Sequence, residues 1–110
     1  MVIAGALQER TRSDVVAVGT SSIVVVPVRN TKPIRRVLTI RNTSDDSSKV
    51  VTLSFGGDSP AINNAGIVLR QFESFTDSQD GNETDGYLPF QGQVNAISAV
   101  AGAIISIFER

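Results

Sequence analysis

A chain of 110 residues, of which 41% are hydrophobic, has the length for one domain with a single modest core. It contains no cysteine and no histidine, which excludes disulfides, thiolate metal sites and every catalytic arrangement that needs an imidazole. Ten basic and eleven acidic residues leave a formal net charge of −1, without the basic excess that nucleic-acid binding requires.

The first residues of the chain are small and apolar. Residues 1–7 (MVIAGAL) are followed at once by polar residues and are not preceded by a basic region, which does not fit a signal peptide. No run of about eighteen apolar residues is present, so we expect no membrane-spanning helix and a soluble, non-secreted protein. We interpret residues 1–14 as an N-terminal arm that either packs on a neighbouring subunit or frays. Ile3 and Leu7 are its candidate contact residues.

From Val15 onwards the sequence has the pattern of short β-strands. Branched residues dominate the apolar content, and they fit a pleated sheet better than a helix. The clearest strand is predicted at residues 34–42, where Leu38 and Ile40 point to one face and Arg41 to the other. The other predicted strands cover residues 15–18, 23–26, 49–55, 67–69, 71–76, 87–90, 94–99 and 103–110.

Residues 49–55 alternate as cleanly as the strand before them, with Val51, Leu53 and Phe55 on one face. A polar loop of about six residues joins the two segments, and alternating runs joined in this way favour a β-hairpin. Nothing of helical period is long enough to supply the crossover helices of a parallel sheet. The sequence therefore predicts an all-β domain at residues 15–110, an antiparallel, jelly-roll-like β-sandwich of about eight short strands.

The last strand is apolar on both of its faces. Ile104, Ser106 and Phe108 share one face, and small or branched apolar residues form the other. Such a strand is either central in its sheet or covered by another chain, because exposed apolar strand surface invites association. Ile104 and Phe108 are therefore candidate interface residues.

Arg35, Arg36 and Arg41 form a basic grouping near the clearest strand. Arg36 and Arg41 fall on opposite faces because their separation is odd, whereas Arg35 and Arg41 share a face. An outward face with Arg35 and Arg41 suits an acidic protein partner. Nucleic acid is the less favoured partner, because few basic residues interleave with few aromatic ones.

The loop from Asp77 to Gly86 contains four carboxylates together with amide and hydroxyl oxygens, the hard ligands that calcium prefers. Its spacing departs from that of an EF-hand loop, so a solvated loop is the preferred interpretation. We assign no catalytic, cofactor-binding or metal-binding residue. Tyr87 and Phe90, near the end of the loop, predict either an aromatic anchor at an interface or a plug at one end of the sandwich.

The order of segments from residue 34 to residue 110 resembles a known class of proteins. The resemblance is carried by residues 36–44 (RVLTIRNTS), 51–56 (VTLSFG), 65–69 (AGIVL), 72–75 (FESF) and 94–99 (VNAISA), and by Glu109 near the end of the last strand. This order is similar to that of small accessory structural proteins of tailed bacteriophages, of the capsid decoration (cement) kind.

The resemblance implies a virion structural protein made in the host cytoplasm and located on the capsid surface. Such a protein forms a homo-oligomer, a dimer or trimer here, and clamps the major capsid protein or another virion protein without a cofactor. The alternative function is a ligand- or carbohydrate-binding module, for example at a tail tip, although the missing tryptophan argues against a sugar platform. An enzyme is least favoured, because without histidine and cysteine no convergent catalytic pair is readable.

Overall fold

The computed structural model describes residues 12–29, 35–56, 60–78 and 89–110. These ranges contain strands and no helix, so the all-β prediction is confirmed. The strands are β1 (Arg12–Val18), β2 (Ile23–Val26), β3 (Val37–Asn42), β4 (Val51–Phe55), β5 (Ile67–Leu69), β6 (Ser74–Ser78), β7 (Val94–Ser98) and β8 (Ala103–Glu109).

The strands form two four-stranded antiparallel sheets. Sheet A has the order β1-β8-β3-β6, and sheet B has the order β2-β7-β4-β5. The first strand thus pairs with the eighth, the second with the seventh, the third with the sixth and the fourth with the fifth. This winding is that of a jelly roll, and the predicted β-sandwich is confirmed.

The predicted hairpin between residues 34–42 and 49–55 is wrong. β3 lies in sheet A between β8 and β6, whereas β4 lies in sheet B between β7 and β5. The polar segment between them therefore crosses from one sheet to the other. Alternation shows that each segment is a half-buried strand, but it does not show which strand is the partner.

The N-terminal boundary also differs from the prediction. β1 begins at Arg12, so that residues 12–14, which the sequence assigns to an arm, belong to the sandwich. They are held there by the register of β1 with β8, in which Arg12 is opposite Glu109. The rest of the predicted arm, with Ile3 and Leu7, lies outside the described residues.

The core lies between the sheets and consists mainly of branched side chains. Each such side chain that leaves water stabilises the fold by roughly 1.5–3 kcal/mol. At one end three aromatic rings close the core, with the ring centroid of Phe55 5.1 Å from that of Phe75 and 5.2 Å from that of Phe90. The fully buried aliphatic residues include Leu38, Ile40, Val51, Leu53, Val94 and Ile105.

The outer face of sheet B is partly covered by the chain itself. Thr52 points away from the core and is nevertheless only 1% exposed. Its hydroxyl oxygen accepts a hydrogen bond of 3.0 Å from the backbone N–H of Asn64, in the connection between β4 and β5. Gly66 in this connection lies so close to the sheet, with φ +155°, that a Cβ atom would collide with the carbonyl oxygen of Leu53.

Candidate interaction face

Sheet A carries an outer face that is almost free of charge. In β8 the buried residues alternate with Ile104, Ser106 and Phe108, which point away from the core, and the strand registers extend this face across the sheet. Each of the four strands contributes three side chains, twelve in all, of which only Arg41 is charged. The members are Ser13, Val15 and Ala17 in β1, Ile104, Ser106 and Phe108 in β8, Val37, Thr39 and Arg41 in β3, and Ser74, Thr76 and Ser78 in β6.

Half of the hydroxyl groups of this face have a hydroxyl partner on a neighbouring strand. Thr39 Oγ1 lies 3.3 Å from Thr76 Oγ1, and Thr43 Oγ1 at the end of β3 lies 3.2 Å from Ser106 Oγ. Cross-strand threonine and serine pairs of this kind stabilise a sheet. The hydroxyls of Thr39, Thr76 and Ser106 are thus engaged within the sheet.

Several apolar side chains of the face are open to solvent. Val15 is 67% exposed and Ile104 is 38% exposed, while Phe108 is half-buried beside them. Single exposed apolar residues are normal on a protein surface, but a contiguous apolar patch marks a site of association. The outer face of sheet A is therefore the candidate interaction face of this protein.

An exposed aromatic ring lies at one corner of this face. The turn from Arg70 to Glu73 joins β5 to β6, so that β6 begins at Ser74 and not at residue 71 as predicted. Phe72 in this turn has φ +65°, a left-handed conformation that is an outlier for a bulky residue, and it is 57% exposed. The guanidinium carbon of Arg41 lies 5.8 Å from the centroid of its ring. We refer to Arg41 and Phe72 as the Arg41–Phe72 corner.

Asn42 holds this corner in place. Its backbone carbonyl accepts a hydrogen bond of 2.7 Å from the N–H of Phe72, and its own N–H donates to the carbonyl of Glu73 at 2.9 Å. Its fully buried side chain donates to the carbonyls of Lys49 (2.8 Å) and Leu69 (2.9 Å). One asparagine therefore ties the corner to both sheets, and the unusual backbone of Phe72 is fixed by the fold around it.

The prediction that Arg35 shares an outward face with Arg41 is wrong. Arg35 is fully buried at the end of the core, because regular β3 begins only at Val37 and the two-residue alternation does not extend back to it. Its Nε donates to Glu109 Oε2 at 3.1 Å, and its Nη2 donates to the carbonyl of Pro27 at 2.9 Å.

Glu109 is the shared carboxylate of three arginines, of which Arg29 and Arg35 are buried and Arg12 is partly exposed. Its Oε1 accepts a hydrogen bond of 2.6 Å from Arg29 Nη2, and Arg12 Nη1 lies 3.9 Å from the same oxygen. Burial lowers the pKa of the Arg35 guanidinium, and the charge of Glu109 opposes this shift. The group closes one end of the core, and its hydrogen bonds make it a structural feature rather than a docking surface.

The remaining predicted site residues fall in different places. Phe90 packs edge-on against Phe55 at the end of the core, which is the plug position of the two alternatives. Asp77 accepts a hydrogen bond of 3.0 Å at Oδ2 from the N–H of Phe90. Ser78 ends β6, and the remaining residues of the acidic loop, 79–86, lie outside the described residues together with Tyr87.

Two further observations concern the described ranges alone. They contain no group of three histidine, cysteine, aspartate or glutamate side chains placed to hold a metal ion. They also contain no helix that is long and apolar enough to cross a membrane.

Comparisons with protein-family models, with characterised proteins and with solved structures found no match for this chain. The candidate interaction face is therefore defined by its own geometry and chemistry. Three of the predicted interface residues, Arg41, Ile104 and Phe108, lie together on it. Phe72, which borders the face, was not among the predicted residues, because nothing in its sequence surroundings indicates a left-handed aromatic residue.

Proposed function

We propose that this chain is a virion structural protein, a decoration protein of the capsid surface that acts by contact and catalyses no reaction. The observation that carries the proposal is the outer face of sheet A, on which twelve side chains include a single charge. The jelly-roll architecture occurs in viral capsid domains and also in lectins, so the fold is compatible with the proposal without deciding it.

A rigid sheet is well suited to such a role. Its side chains are already ordered by cross-strand contacts, so docking costs little additional conformational entropy. Four strands about 4.8 Å apart and three rows of side chains about 6.8 Å apart cover roughly 400 Å² in projection. A standard protein interface buries about 800 Å² on each partner, so surfaces beside the face must contribute as well.

The N-terminal residues are the proposed source of further contacts. In this proposal Ile3 and Leu7 bind a neighbouring copy and link the chains into a dimer or trimer, while sheet A binds the major capsid protein or another virion protein. The two kinds of contact then act together, since linked copies raise the effective concentration of each face at the capsid.

The test of this function is binding to capsids. The purified chain is mixed with particles of a phage from which the gene for this chain has been deleted, and bound chain is measured by sedimentation. We expect saturable binding and a higher melting temperature of the decorated particles, since a ligand stabilises the state that it binds. No binding at micromolar concentration would contradict the proposed function. Light scattering on the free chain tests the proposed dimer or trimer separately. A chain that is monomeric at all concentrations would contradict it.

A further inference from the structure

We propose that the Arg41–Phe72 corner binds a carboxylate set in an apolar surface of a different protein, so that sheet A docks a heterologous partner and not a second copy of this chain. The inference rests on the proposed function, to which it adds the chemistry of the partner. Two independent observations carry it: the twelve side chains of the face include a cation and no carboxylate, and a strained aromatic residue lies beside that cation.

The charges of the face decide between the two kinds of partner. Arg41 is the single charge among the twelve side chains, and Arg110, which follows β8 and pairs with Val37, adds a second cation at the other end of the face. None of the twelve is a carboxylate. Face-to-face packing of two copies would therefore bury two guanidinium groups and bring no anion to either. A buried charge without a partner is strongly unfavourable, so a second copy is a poor occupant of this face.

The carboxylates that border the face are already engaged within the chain. Asp45 Oδ1 accepts a hydrogen bond of 2.7 Å from Lys49 Nζ. Glu73 Oε1 accepts one of 2.7 Å from the backbone N–H of Arg70. On the opposite edge Asp14 Oδ2 accepts one of 3.1 Å from Arg12. Each of these carboxylates already has a donor within its own chain, so pairing it with Arg41 of a second copy would gain less than pairing a carboxylate that has none.

The aromatic residue gives the second observation. Phe72 is 57% exposed, so its ring contributes little to the core, and yet its backbone has the unfavourable φ of +65°. Residues held in such conformations occur preferentially at binding sites, where the surrounding structure maintains the strain. Here the hydrogen bond from the N–H of Phe72 to the carbonyl of Asn42 maintains it.

The geometry of the pair suits a carboxylate. The ring of Phe72 holds the guanidinium of Arg41 by a cation–π contact, which leaves guanidinium N–H groups for an anion. A guanidinium presents these groups as a planar fork that matches the two oxygens of a carboxylate. The ring and the neighbouring Ile104 and Phe108 offer apolar contact around the ion pair. Contacts of this kind exclude water from the residues that contribute most to the affinity of an interface.

The experiment measures capsid binding of four variants under the conditions described above. We expect Arg41→Gln to weaken binding about tenfold or more and Arg41→Glu about a hundredfold, because the second change places like charges together. Arg41→Lys should restore only part of the affinity, since an ammonium group lacks the planar fork. Phe72→Ala should weaken binding about tenfold.

The matched control is Arg36→Gln. It removes the same charge from an exposed arginine five residues earlier, which precedes β3 and is not part of the face. We expect its affinity to remain within about twofold of the original chain, because arginines at the edge of an interface add little affinity. Thermal melting of every variant shows whether the fold is retained. The affinities for the capsid are compared only among variants that are folded.

The outcomes separate the inference from the proposed function. If the original chain binds capsids and the Arg41 variants bind equally well, the inference is overturned and the proposed function stands. If the original chain does not bind, the proposed function fails and the inference fails with it. If light scattering shows a dimer that Arg41→Glu or Ile104→Asp dissociates, sheet A holds a second copy and the inference is overturned.

Discussion

Arg35 and Arg41 are six residues apart in the chain and occupy opposite environments. Arg35 is fully buried, and its guanidinium donates to Glu109 and to backbone carbonyls. Arg41 lies on the outer face of sheet A, where its contact is the ring of Phe72. The first arginine is satisfied by its own chain, whereas the second has capacity left for another molecule. The difference separates a residue that maintains the fold from one that is available for binding.

The largest expected effect is at the buried arginine. Arg35→Met leaves Glu109 paired with Arg29 but leaves the carbonyls of Pro27 and Phe90 without their donor. We expect a loss of about 3 kcal/mol in the free energy of unfolding, because a buried carbonyl without a donor costs about 1–3 kcal/mol. Arg41→Met is the matched control, with an expected change within about 0.5 kcal/mol. Urea denaturation measures both, and equal losses would show that the two arginines do not differ as described.

The next effect is at Asn42, which ties the Arg41–Phe72 corner to both sheets. Asn42→Ala removes the donors to the carbonyls of Lys49 and Leu69 and the acceptor for the N–H of Ser44. Because these groups are wholly or partly buried, we expect a loss of about 2–3 kcal/mol in the free energy of unfolding. Asn63→Ala, at an exposed turn position, should change stability by less than about 0.5 kcal/mol. Comparable losses in both variants would contradict the role given to Asn42.

A smaller effect is expected at Phe72, where substitution by glycine should destabilise the fold less than substitution by alanine. Glycine adopts positive φ readily and alanine does not, so Phe72→Gly should be more stable than Phe72→Ala by about 1 kcal/mol. Both variants lose the aromatic ring, and both should therefore bind capsids weakly. Thermal melting and the binding assay test the two statements. If alanine were as stable as glycine at this position, the backbone there would not be strained.

The smallest effect concerns pH and two surface carboxylates in the loop after β3. The hydrogen bond from Lys49 lowers the pKa of Asp45, and the hydrogen bonds from Ser48 lower the pKa of Asp46. A lowered pKa in the folded state stabilises the protein above the ordinary pKa of the group, which is about 4. This contribution is lost as the pH falls through the folded-state value. The melting temperature of Asp45→Asn should therefore differ less from that of the original chain at pH 2.5 than at pH 5. A difference in melting temperature that grows toward low pH would contradict this prediction.

The sequence was sufficient for most of the strands, because alternating apolar and polar residues mark a strand that is buried on one face. Leu38 and Ile40 mark the inner side of β3 by their spacing alone, and Ile104 and Phe108 mark the outer side of β8. The spacing could not supply the strand partners. A polar loop of about six residues fits a hairpin as well as a crossover between sheets, and the loop after Asn42 is a crossover.

The corner could be predicted only in part. Arg41 follows from alternation within β3, but the same argument failed for Arg35, since alternation holds only where the strand is regular. Phe72 could not be found, because an aromatic residue favours extended backbone and its left-handed conformation is imposed by contacts distant in sequence. Asn42 was predicted only as the last residue of a strand, since its buried hydrogen bonds depend on carbonyls of two other segments.

The pairing of β1 with β8 bears on the way in which the chain reaches its folded state. β4 and β5 are close in sequence and can pair early, whereas β1 has its hydrogen-bonded neighbour at the opposite end of the chain. Closing so long a loop costs entropy before any contact repays it, and β-sandwiches with such distant pairings fold in milliseconds to seconds. We therefore expect β1, with Val15 and Val16, to stay unpaired and prone to association during synthesis until β8 has been made. The outer face of sheet A, to which β1 contributes three side chains, is then expected to be completed late in folding.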